Sequence, residues 1–337
     1  MKDLKEFNEE LRKKNLGGYW QTIQEVYREP ASYAPHLWNW KDVDEATRKA
    51  GDVIGLDDSS RRVIQLRHPT LNGPTSHTLQ LNIQMLKPGE HANAHRHTLA
   101  GIRFVIKGSG VLCIVDGENF ALGEGDLLTT PNWTWHEHVN NSTEPIFWLD
   151  GLDSPLVRTL LPDIGFFEPH KTGRQALLRP DGTAAREFGF MRPSWVRRDS
   201  DQPPAYCYRW QDTEMALKSV GEKSGDPCDG ILLHYVNPLT GGPTLPTLMC
   251  SIQMLRPGEK TKSHRHTNTA IYHVIHGKGV TRIDDIEYPW ETGDSFVVPF
   301  WRFHRHENRS DQNSLLFAMT DRPLMELLRF YREEKAD

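Results

Sequence analysis

The sequence has little of what secreted, membrane-spanning or nucleic-acid-binding proteins usually need. It contains only four cysteines, Cys113, Cys207, Cys228 and Cys250, which lie far apart and form no C-x-x-C pair. This spacing indicates reduced thiols rather than a disulfide framework. No stretch approaches the roughly 20 apolar residues of a membrane span. The charged N-terminal segment MKDLKEFNEELRKKN also lacks the apolar core of a secretory signal. We therefore expect a soluble, cytoplasmic protein that does not act at a membrane.

The charge distribution excludes another class of partner. The net charge is −5, and no block of Lys and Arg suggests a surface for nucleic acid. A small-molecule ligand is the partner that remains. The chain nevertheless has material for a large core, because 37% of its 337 residues are hydrophobic and 10 are tryptophans. This length favours two domains or one double barrel over a single ordinary core.

An internal repeat supports the double barrel. The segment IQMLKPGEHANAHRHT (83–98) matches IQMLRPGEKTKSHRHT (252–267), and GDLLTTPNWTWHEHVN (125–140) matches GDSFVVPFWRFHRHEN (293–308). The matched glycines, prolines and histidines indicate one structural unit that occurs twice.

Each repeat has the pattern of a β structure. Short runs rich in Val, Ile, Phe and Thr are broken by glycines and by Asp-Gly pairs, of which Asp116-Gly117 predicts a hairpin turn. Evenly spaced short strands are typical of sandwiches and barrels, including jelly rolls. Helical spacing of apolar residues predicts an amphipathic helix over 3–15 and a closing helix over 321–333, the latter with Leu324, Leu327, Leu328 and Tyr331 on one face.

These patterns divide the chain into five predicted segments. Residues 166–235 contain prolines and mixed polarity, which is typical of a connecting segment. The segments are an N-terminal arm (1–70), an N-terminal barrel (71–165), an inter-barrel linker region (166–235), a C-terminal barrel (236–325) and a C-terminal tail (326–337).

Three histidines in the first repeat predict a metal site. His95 and His97 stand at i and i+2, a spacing that points both side chains to one face of a strand. His136 follows in a hairpin-rich segment, where a neighbouring strand can bring it close. Imidazoles suit iron, zinc, copper or nickel. An H-x-H pair alone is weak evidence, since it also occurs on surfaces and in cores, but here it recurs in both repeats with a third histidine.

The spacing of these residues resembles a known superfamily. Residues 89–108 read G-x5-H-x-H-x10-G, and residues 125–140 read G-x5-P-x4-H-x3-N, like the paired motifs of cupins. The glutamate that usually follows the second histidine is absent, because Gly101-Ile102-Arg103 stands there. That departure, together with HRHT, PNWTWHEH and Arg103, resembles the gentisate 1,2-dioxygenase family, which includes salicylate and 1-hydroxy-2-naphthoate dioxygenases. The resemblance covers roughly residues 60–165 and 245–325.

The resemblance implies a fold, a cofactor and a reaction. The fold is all-β, with two double-stranded β-helix (cupin, jelly-roll) barrels, a helical N-terminal arm and a C-terminal helix. The cofactor is Fe(II), and the assembly is often a homotetramer. The partners are a small aromatic carboxylic acid and O2. Both oxygen atoms enter gentisate or a 5-substituted salicylate such as 5-nitrosalicylate, and the bond between the carboxyl-bearing and hydroxyl-bearing ring carbons breaks, as in the catabolism of aromatic compounds.

Three residues near the triad are candidate catalytic residues. Arg103 lies eight residues past His95, so on a continuous strand it would share the ligand face, where a guanidinium needs an anion. His138, two residues past His136, can relay a proton, bind an oxygen or support the ligands. Asp150 can orient His138 or Arg103.

Four further residues are candidates for binding the substrate. Gln84 resembles a pocket residue of the family. An arginine from the segment before it contacts the carboxylate in the family; Arg62 is the candidate taken, with Arg61 left open. Gln80 and Asn82 replace an aromatic and a small residue of gentisate enzymes, and their amides can bind a nitro, amino or halogen group on the ring. If both point elsewhere, gentisate itself is the expected substrate.

The second repeat differs from the first at the candidate catalytic positions. His264, His266 and His304 match the metal ligands and form a possible second metal site, but Tyr272 stands at the Arg103 position and Ala318 at the Asp150 position. We therefore expect the chemistry in the first barrel and a structural role for the second.

The sequence is also compatible with three other functions. A 1-hydroxy-2-naphthoate dioxygenase is an alternative within the same family. A non-catalytic metal-binding bicupin is an alternative of another class, although the difference between Arg103 and Tyr272 argues against it. A cupin hydrolase, isomerase or decarboxylase with a different metal is the third.

Overall fold

A computed structural model describes residues 2–22, 33–59, 61–160, 162–180, 183, 194–195, 204–221 and 225–336. The chain divides into a first unit, Met1–Tyr33, and a second unit, Ala34–Asp337. In the first unit, the predicted amphipathic helix is confirmed as α1 (Lys2–Lys13). A short 3-10 turn follows at Tyr19–Gln21. The rings of Phe7 and Trp20 stack with centroids 6.0 Å apart.

The second unit consists mainly of antiparallel strands. In chain order they are β1 (His36–Trp38), β2 (Val63–Gln65), β3 (Gln80–Leu86), β4 (His91–His97), β5 (Gly101–Lys107), β6 (Val111–Val115), β7 (Glu118–Leu122), β8 (Leu127–Thr130), β9 (His136–Asn140), β10 (Ile146–Leu152), β11 (Phe167–Pro169), β12 (Cys207–Tyr208), β13 (Ile231–His234), β14 (Met249–Leu255), β15 (His264–His266), β16 (Ala270–His276), β17 (Lys278–Ile283), β18 (Ile286–Glu291), β19 (Ser295–Val298), β20 (His304–Asn308), β21 (Ser314–Thr320) and β22 (Glu333–Lys335).

Helices connect or flank these strands. They are α2 (Trp40–Val53), α3 (Leu56–Ser59), α4 (Ser154–Leu160), α5 (Trp210–Val220) and α6 (Arg322–Leu327), with a 3-10 turn at Pro162–Ile164. None of the helices in the described part of the chain combines the length and the apolar character of a membrane-crossing segment.

The predicted two-barrel fold is confirmed. The first barrel has one sheet in the order β12-β8-β5-β10-β3-β2 and a second in the order β11-β4-β9-β6-β7. The second barrel repeats this plan with β1-β19-β16-β21-β14-β13 and β18-β17-β20-β15-β22. The predicted Asp116-Gly117 hairpin joins β6 to β7, with φ of 46° and 77°, and such left-handed pairs match the twist of a hairpin.

Each barrel contains an edge strand that comes from the segment preceding the other barrel in the chain. Strand β1 pairs with β19 of the second barrel, and β12 pairs with β8 of the first. The backbone N–H of Trp40 donates to Asp294 at 2.7 Å, and that of Trp210 donates to Asp126 at 2.8 Å. The two edge strands are therefore attached in the same way. The described parts of 166–235 therefore contribute strands and a helix to the barrels; residues 181–182, 184–193, 196–203 and 222–224 of that segment lie outside the described residues.

Two partly buried hydrogen bonds join the two barrels. Thr247 Oγ1 donates to Asp153 Oδ2 at 2.7 Å, and Thr78 Oγ1 donates to Asp321 Oδ2 at 2.5 Å, so each barrel supplies one carboxylate and one hydroxyl. Phe104 of the first barrel also stacks on the ring of Phe317 of the second, with centroids 4.4 Å apart.

We expect Thr247→Val to lower the free energy of unfolding by about 1.5–3 kcal/mol, the usual contribution of a hydrogen bond to a charged group. Its carboxylate partner Asp153 is buried and would lose this donor. The measurement is the urea midpoint, with Thr240→Val at an exposed turn as the control. Equal urea midpoints for the two variants would show that the Thr247–Asp153 hydrogen bond does not stabilise the protein.

The C-terminal helix is shorter than the spacing of leucines predicts. It ends at Leu327, and Arg329 adopts a left-handed φ of 60°, a conformation that stops a helix. The chain then forms β22, which pairs with β15, because the edge of β15 offers unpaired backbone groups. The predicted helix over 321–333 is therefore wrong beyond Leu327, a residue that is 75% exposed.

Candidate metal centre

The three histidines of the first barrel form one cluster. His95 and His97 lie on β4, and His136 lies opposite His95 on β9. All three are buried, and one ring nitrogen from each lies within 4.8 Å of the others. The even spacing on β4 and the pairing with β9 bring the three rings together, as the H-x-H pattern predicts.

The chemistry of this cluster fits a divalent metal. The Nδ1 atoms of His97 and His136 contact the backbone carbonyls of Leu99 and Thr134 at 2.9 and 3.0 Å. A ring that donates from Nδ1 presents the lone pair of Nε2, and the buried Nε2 of His136 has no hydrogen-bond partner in the described structure. Burial and the charge of Arg61 lower the pKa of His95 to about 2, so this imidazole is neutral near pH 7. Three neutral imidazoles are suitable ligands for iron.

Arg103 faces the triad from the other sheet. It lies on β5, directly opposite Asp150 on β10, and Arg103 Nε is 3.1 Å from Asp150 Oδ1. Of the two partners that we consider for Asp150, the structure shows this contact with Arg103. Burial and the positive charge of Arg103 lower the pKa of His97 to about 4.

The prediction that one continuous strand carries His95 and Arg103 is wrong. The chain turns at Thr98–Ala100 between β4 and β5, and the two strands belong to different sheets. Arg103 reaches the interior because the inner faces of both sheets meet in the barrel.

The two candidate arginines have different surroundings. Arg62 donates to both carboxylate oxygens of Glu90 at 2.8 and 2.7 Å and to the carbonyl of Ile54 at 3.0 Å. Arg61 Nη2 instead lies 2.7 Å from Nδ1 of His95. Burial and the charge of Arg103 lower the pKa of Arg61 to about 9, a sign that two guanidinium groups share one region.

We expect Arg61→Ala and Arg62→Ala to fail in different ways. Removing Arg61 should raise KM for an aromatic acid about tenfold or more with little change in Tm, since the variant loses a cation beside the triad. Removing Arg62 should lower stability by about 3 kcal/mol, because Glu90 then loses its paired charge. Steady-state kinetics and thermal melts on the same preparations distinguish the two. A stable Arg62→Ala with raised KM would reverse the assignment.

His138 is held by a cysteine that sequence patterns do not reveal. Its Nδ1 lies 3.0 Å from Sγ of Cys113, which is directly opposite on β6. Burial raises the pKa of the Cys113 thiol to about 12, so the sulfur stays protonated. The buried Nε2 of His138 has no hydrogen-bond partner in the described part of the chain, and it is therefore available to a bound molecule.

A row of amides lies on the same sheet as Arg103. Gln80, Asn82 and Gln84 alternate along β3 and are all buried. Gln80 Nε2 donates to Asn82 Oδ1 at 2.9 Å, and Asn82 is opposite Asp150 on β10. The buried Nε2 of Gln84 lacks a hydrogen-bond acceptor within the described residues. A buried amide without a partner is costly unless a ligand supplies one.

Comparisons with known proteins agree with this geometry. The family described as Cupin domain matches residues 82–151 and 251–320. The chain is 40% identical to 5-aminosalicylate 1,2-dioxygenase of Comamonas sp, over 98% of this chain and 90% of that protein. It is 36% identical to gentisate 1,2 dioxygenase 1 of Aquipseudomonas alcaligenes, over 99% of this chain and 97% of that one. The chain belongs to the gentisate and salicylate 1,2-dioxygenase family. It is a ring-cleaving dioxygenase.

A solved structure shows the same fold. Salicylate 1,2-dioxygenase from Pseudoaminobacter salicylatoxidans, in a crystal structure of adducts with gentisate, superposes with a TM-score of 0.89 at 30% identity, covering 99% of this chain and 94% of that one.

The second barrel of this dioxygenase carries the predicted second triad. His264, His266 and His304 are buried, with one ring nitrogen from each within 4.8 Å of the others. Tyr272 pairs with Ala318 in the register that joins Arg103 to Asp150 in the first barrel, so the predicted equivalences are confirmed.

Sequence reasoning missed one residue beside the first triad of this dioxygenase. Phe167 on β11 places its ring 4.7 Å from that of His95. It lies in the segment expected to be a linker, where no periodic pattern marks it. Only the pairing of β11 with β4 shows that it lies beside the site.

Proposed function

We propose that the chain is an Fe(II)-dependent 1,2-dioxygenase for a salicylate with a polar group at ring position 5, with 5-aminosalicylate as the first candidate. Both atoms of O2 would enter the ring at the bond between the carboxyl-bearing and hydroxyl-bearing carbons. When bound at His95, His97 and His136, Fe(II) would supply a redox-active centre at which the hydroxy acid and O2 can react.

The single observation that carries the proposal is a neutral histidine triad beside two arginines, the buried Arg103 and the half-buried Arg61. Burial and the nearby charge of Arg103 lower the pKa of Arg61, and Asp150 is the carboxylate paired with Arg103. An anionic substrate adds the negative charge that this pair of guanidinium groups attracts. We propose that Arg61 binds the substrate carboxylate and that Arg103, oriented by Asp150, binds an oxygen close to the reacting bond.

The other pocket residues would orient the ring. His138 can hydrogen-bond the substrate hydroxyl oxygen through Nε2, while its contact with Cys113 holds the imidazole in place. Gln84 can donate to a substrate oxygen from its Nε2, which has no hydrogen-bond acceptor among the described residues. Gln80 and Asn82 place amide groups on the same face, and amides can bind an amino or nitro substituent.

The experiment is oxygen uptake by iron-loaded enzyme with salicylate, gentisate, 5-aminosalicylate, 5-nitrosalicylate and 1-hydroxy-2-naphthoate. We expect the highest kcat/KM with 5-aminosalicylate. Fastest turnover of 1-hydroxy-2-naphthoate would favour the bicyclic alternative, and no uptake with any of them would favour a non-catalytic bicupin. Labelled O2 should place both atoms in the product.

A Gln80→Ala and Asn82→Ala double variant tests the substituent contact. If the amides recognise the 5-position, the ratio of kcat/KM for 5-aminosalicylate to that for salicylate should fall by about tenfold. This is the effect expected from the loss of one hydrogen bond. An unchanged preference would show that Gln80 and Asn82 do not recognise the 5-substituent, and would favour gentisate as the substrate or another residue as the contact.

A further inference from the structure

Hydrogen bonds orient the rings of the second histidine triad. His264 lies opposite His304 in the pairing of β15 and β20. The Nδ1 atoms of His266 and His304 contact the carbonyls of Asn268 and Arg302 at 2.8 and 3.1 Å, which leaves Nε2 as the inward atom of each ring. Nε2 of His304 is buried and has no hydrogen-bond partner among the described residues. A buried, unpaired imidazole nitrogen beside two others indicates a missing ligand.

Two carboxylates flank the first histidine of this triad. Asp229 Oδ1 lies 3.7 Å from His264 Nε2, and Glu333 Oε1 lies 3.5 Å from His264 Nδ1. Neither contact is a hydrogen bond, since both ring nitrogens lack a bonded partner within the described structure. The imidazole therefore has an acidic group at each nitrogen. A carboxylate, like a backbone carbonyl, is one of the usual partners at Nδ1 of a metal-bound histidine.

Neighbouring positions carry the opposite chemistry in the first barrel. Arg61 lies two residues before the edge strand β2 and Asp229 two residues before the edge strand β13, but in register with β3 and β14 Asp229 stands one residue earlier than Arg61. Phe167 on β11 is opposite His97, whereas Glu333 on β22 is opposite His266. The first triad thus has a cation and an aromatic ring close to the places where the second has two carboxylates.

The space beside the second triad is too small for an aromatic acid. Its cavity measures about 60 Å³. Pockets for small-molecule ligands usually measure roughly 300–1,000 Å³. Tyr272, at the position of Arg103, is buried and stacks on Phe296 instead of offering a positive charge. Arg322 also borders this cavity, but it donates to Glu326 at 2.7 Å.

We propose that His264, His266, His304 and Asp229 bind a second, non-catalytic divalent cation, with Glu333 orienting His264. Three imidazoles and one carboxylate suit Zn²⁺ or another borderline divalent metal. The carboxylates offset the charge of the cation, so the site needs no anionic substrate. Because Asp229 precedes β13 and Glu333 lies on β22, the cation would join the C-terminal strand to the barrel and stabilise both edges.

The test uses the full chain, stripped of metal with a chelator and titrated with Zn²⁺ by calorimetry. We expect two Zn²⁺ per chain for wild type, and one for either His136→Ala or His304→Ala. In the His136→Ala background, only the second site is measured. There, Asp229→Asn or Glu333→Gln should weaken Zn²⁺ binding about 10- to 100-fold and reduce the rise in Tm that Zn²⁺ produces.

Glu334→Gln in the same background is the matched control. Glu334 is the next residue on β22, but its carboxylate pairs with Arg265 at 2.7 Å, so zinc affinity should not change. The proposal is overturned if His136→Ala binds no Zn²⁺. It is also overturned if Asp229→Asn and Glu333→Gln both bind zinc as tightly as the control. If His304→Ala does not fold, the carboxylate variants still decide the question, since they keep all three imidazoles.

Discussion

Replacing His136 by Ala is expected to reduce ring cleavage by more than about a hundredfold, because the cluster loses one of its three histidines and contains no carboxylate among the described residues. The iron content at the first site should fall with it. Oxygen uptake and iron per chain, measured after anaerobic loading, provide the readout.

The second barrel offers the control for this variant. His304 occupies the position equivalent to His136, so His304→Ala makes the same truncation in the other triad. It should retain most of the activity. A His136→Ala enzyme with normal iron and normal rate would contradict the assignment of the centre. An inactive but folded His304→Ala would show that the second barrel takes part in turnover.

Replacing Arg103 by Ala should preserve iron but lower kcat/KM between about tenfold and more than a hundredfold. A charge-assisted hydrogen bond contributes roughly 1.5–3 kcal/mol, which corresponds to this range of rates. Arg103→Lys should recover only part of the activity, because an ammonium group lacks the planar fork of a guanidinium. Iron content, Tm and kcat/KM are measured on the same preparation.

Loss of Arg103 also leaves Asp150 without its paired charge, so a lower Tm is expected in the Ala variant. The double variant Arg103→Gln, Asp150→Asn removes both charges and should recover Tm without recovering activity. Tyr272→Phe at the equivalent position of the second barrel is the control and should keep wild-type kinetics. If Arg103→Ala shows wild-type kinetics, the arginine does not bind substrate.

The histidine triads could be predicted from sequence because their geometry is mostly local. Two residues at i and i+2 on a strand share a face in any fold, so the sequence alone predicts that the side chains of His95 and His97 point the same way. The repeat then supplied a second example at His264 and His266. The third ligand required one strand pairing, β4 with β9, which the repeat itself made plausible.

The arginines illustrate what local patterns cannot decide. Arg61 and Arg62 are adjacent, and adjacent side chains of extended chain point in opposite directions. Which one reaches the triad depends on the position of Glu90, which binds Arg62. Arg103 was a correct candidate for the interior, but the turn at Thr98–Ala100 places it on a different sheet from the one predicted.

By itself, the sequence determined the repeated β unit, the histidines of both triads and the asymmetry between Arg103 and Tyr272, since each depends on strand alternation or on comparing one repeat with the other. Only the tertiary structure decided the exchanged strands β1 and β12, the position of Phe167 and the carboxylates Asp229 and Glu333 beside His264. The physical reason is that antiparallel pairing between distant segments is set by which sheet edges remain open after the barrels form, and no periodicity within a short segment records that outcome.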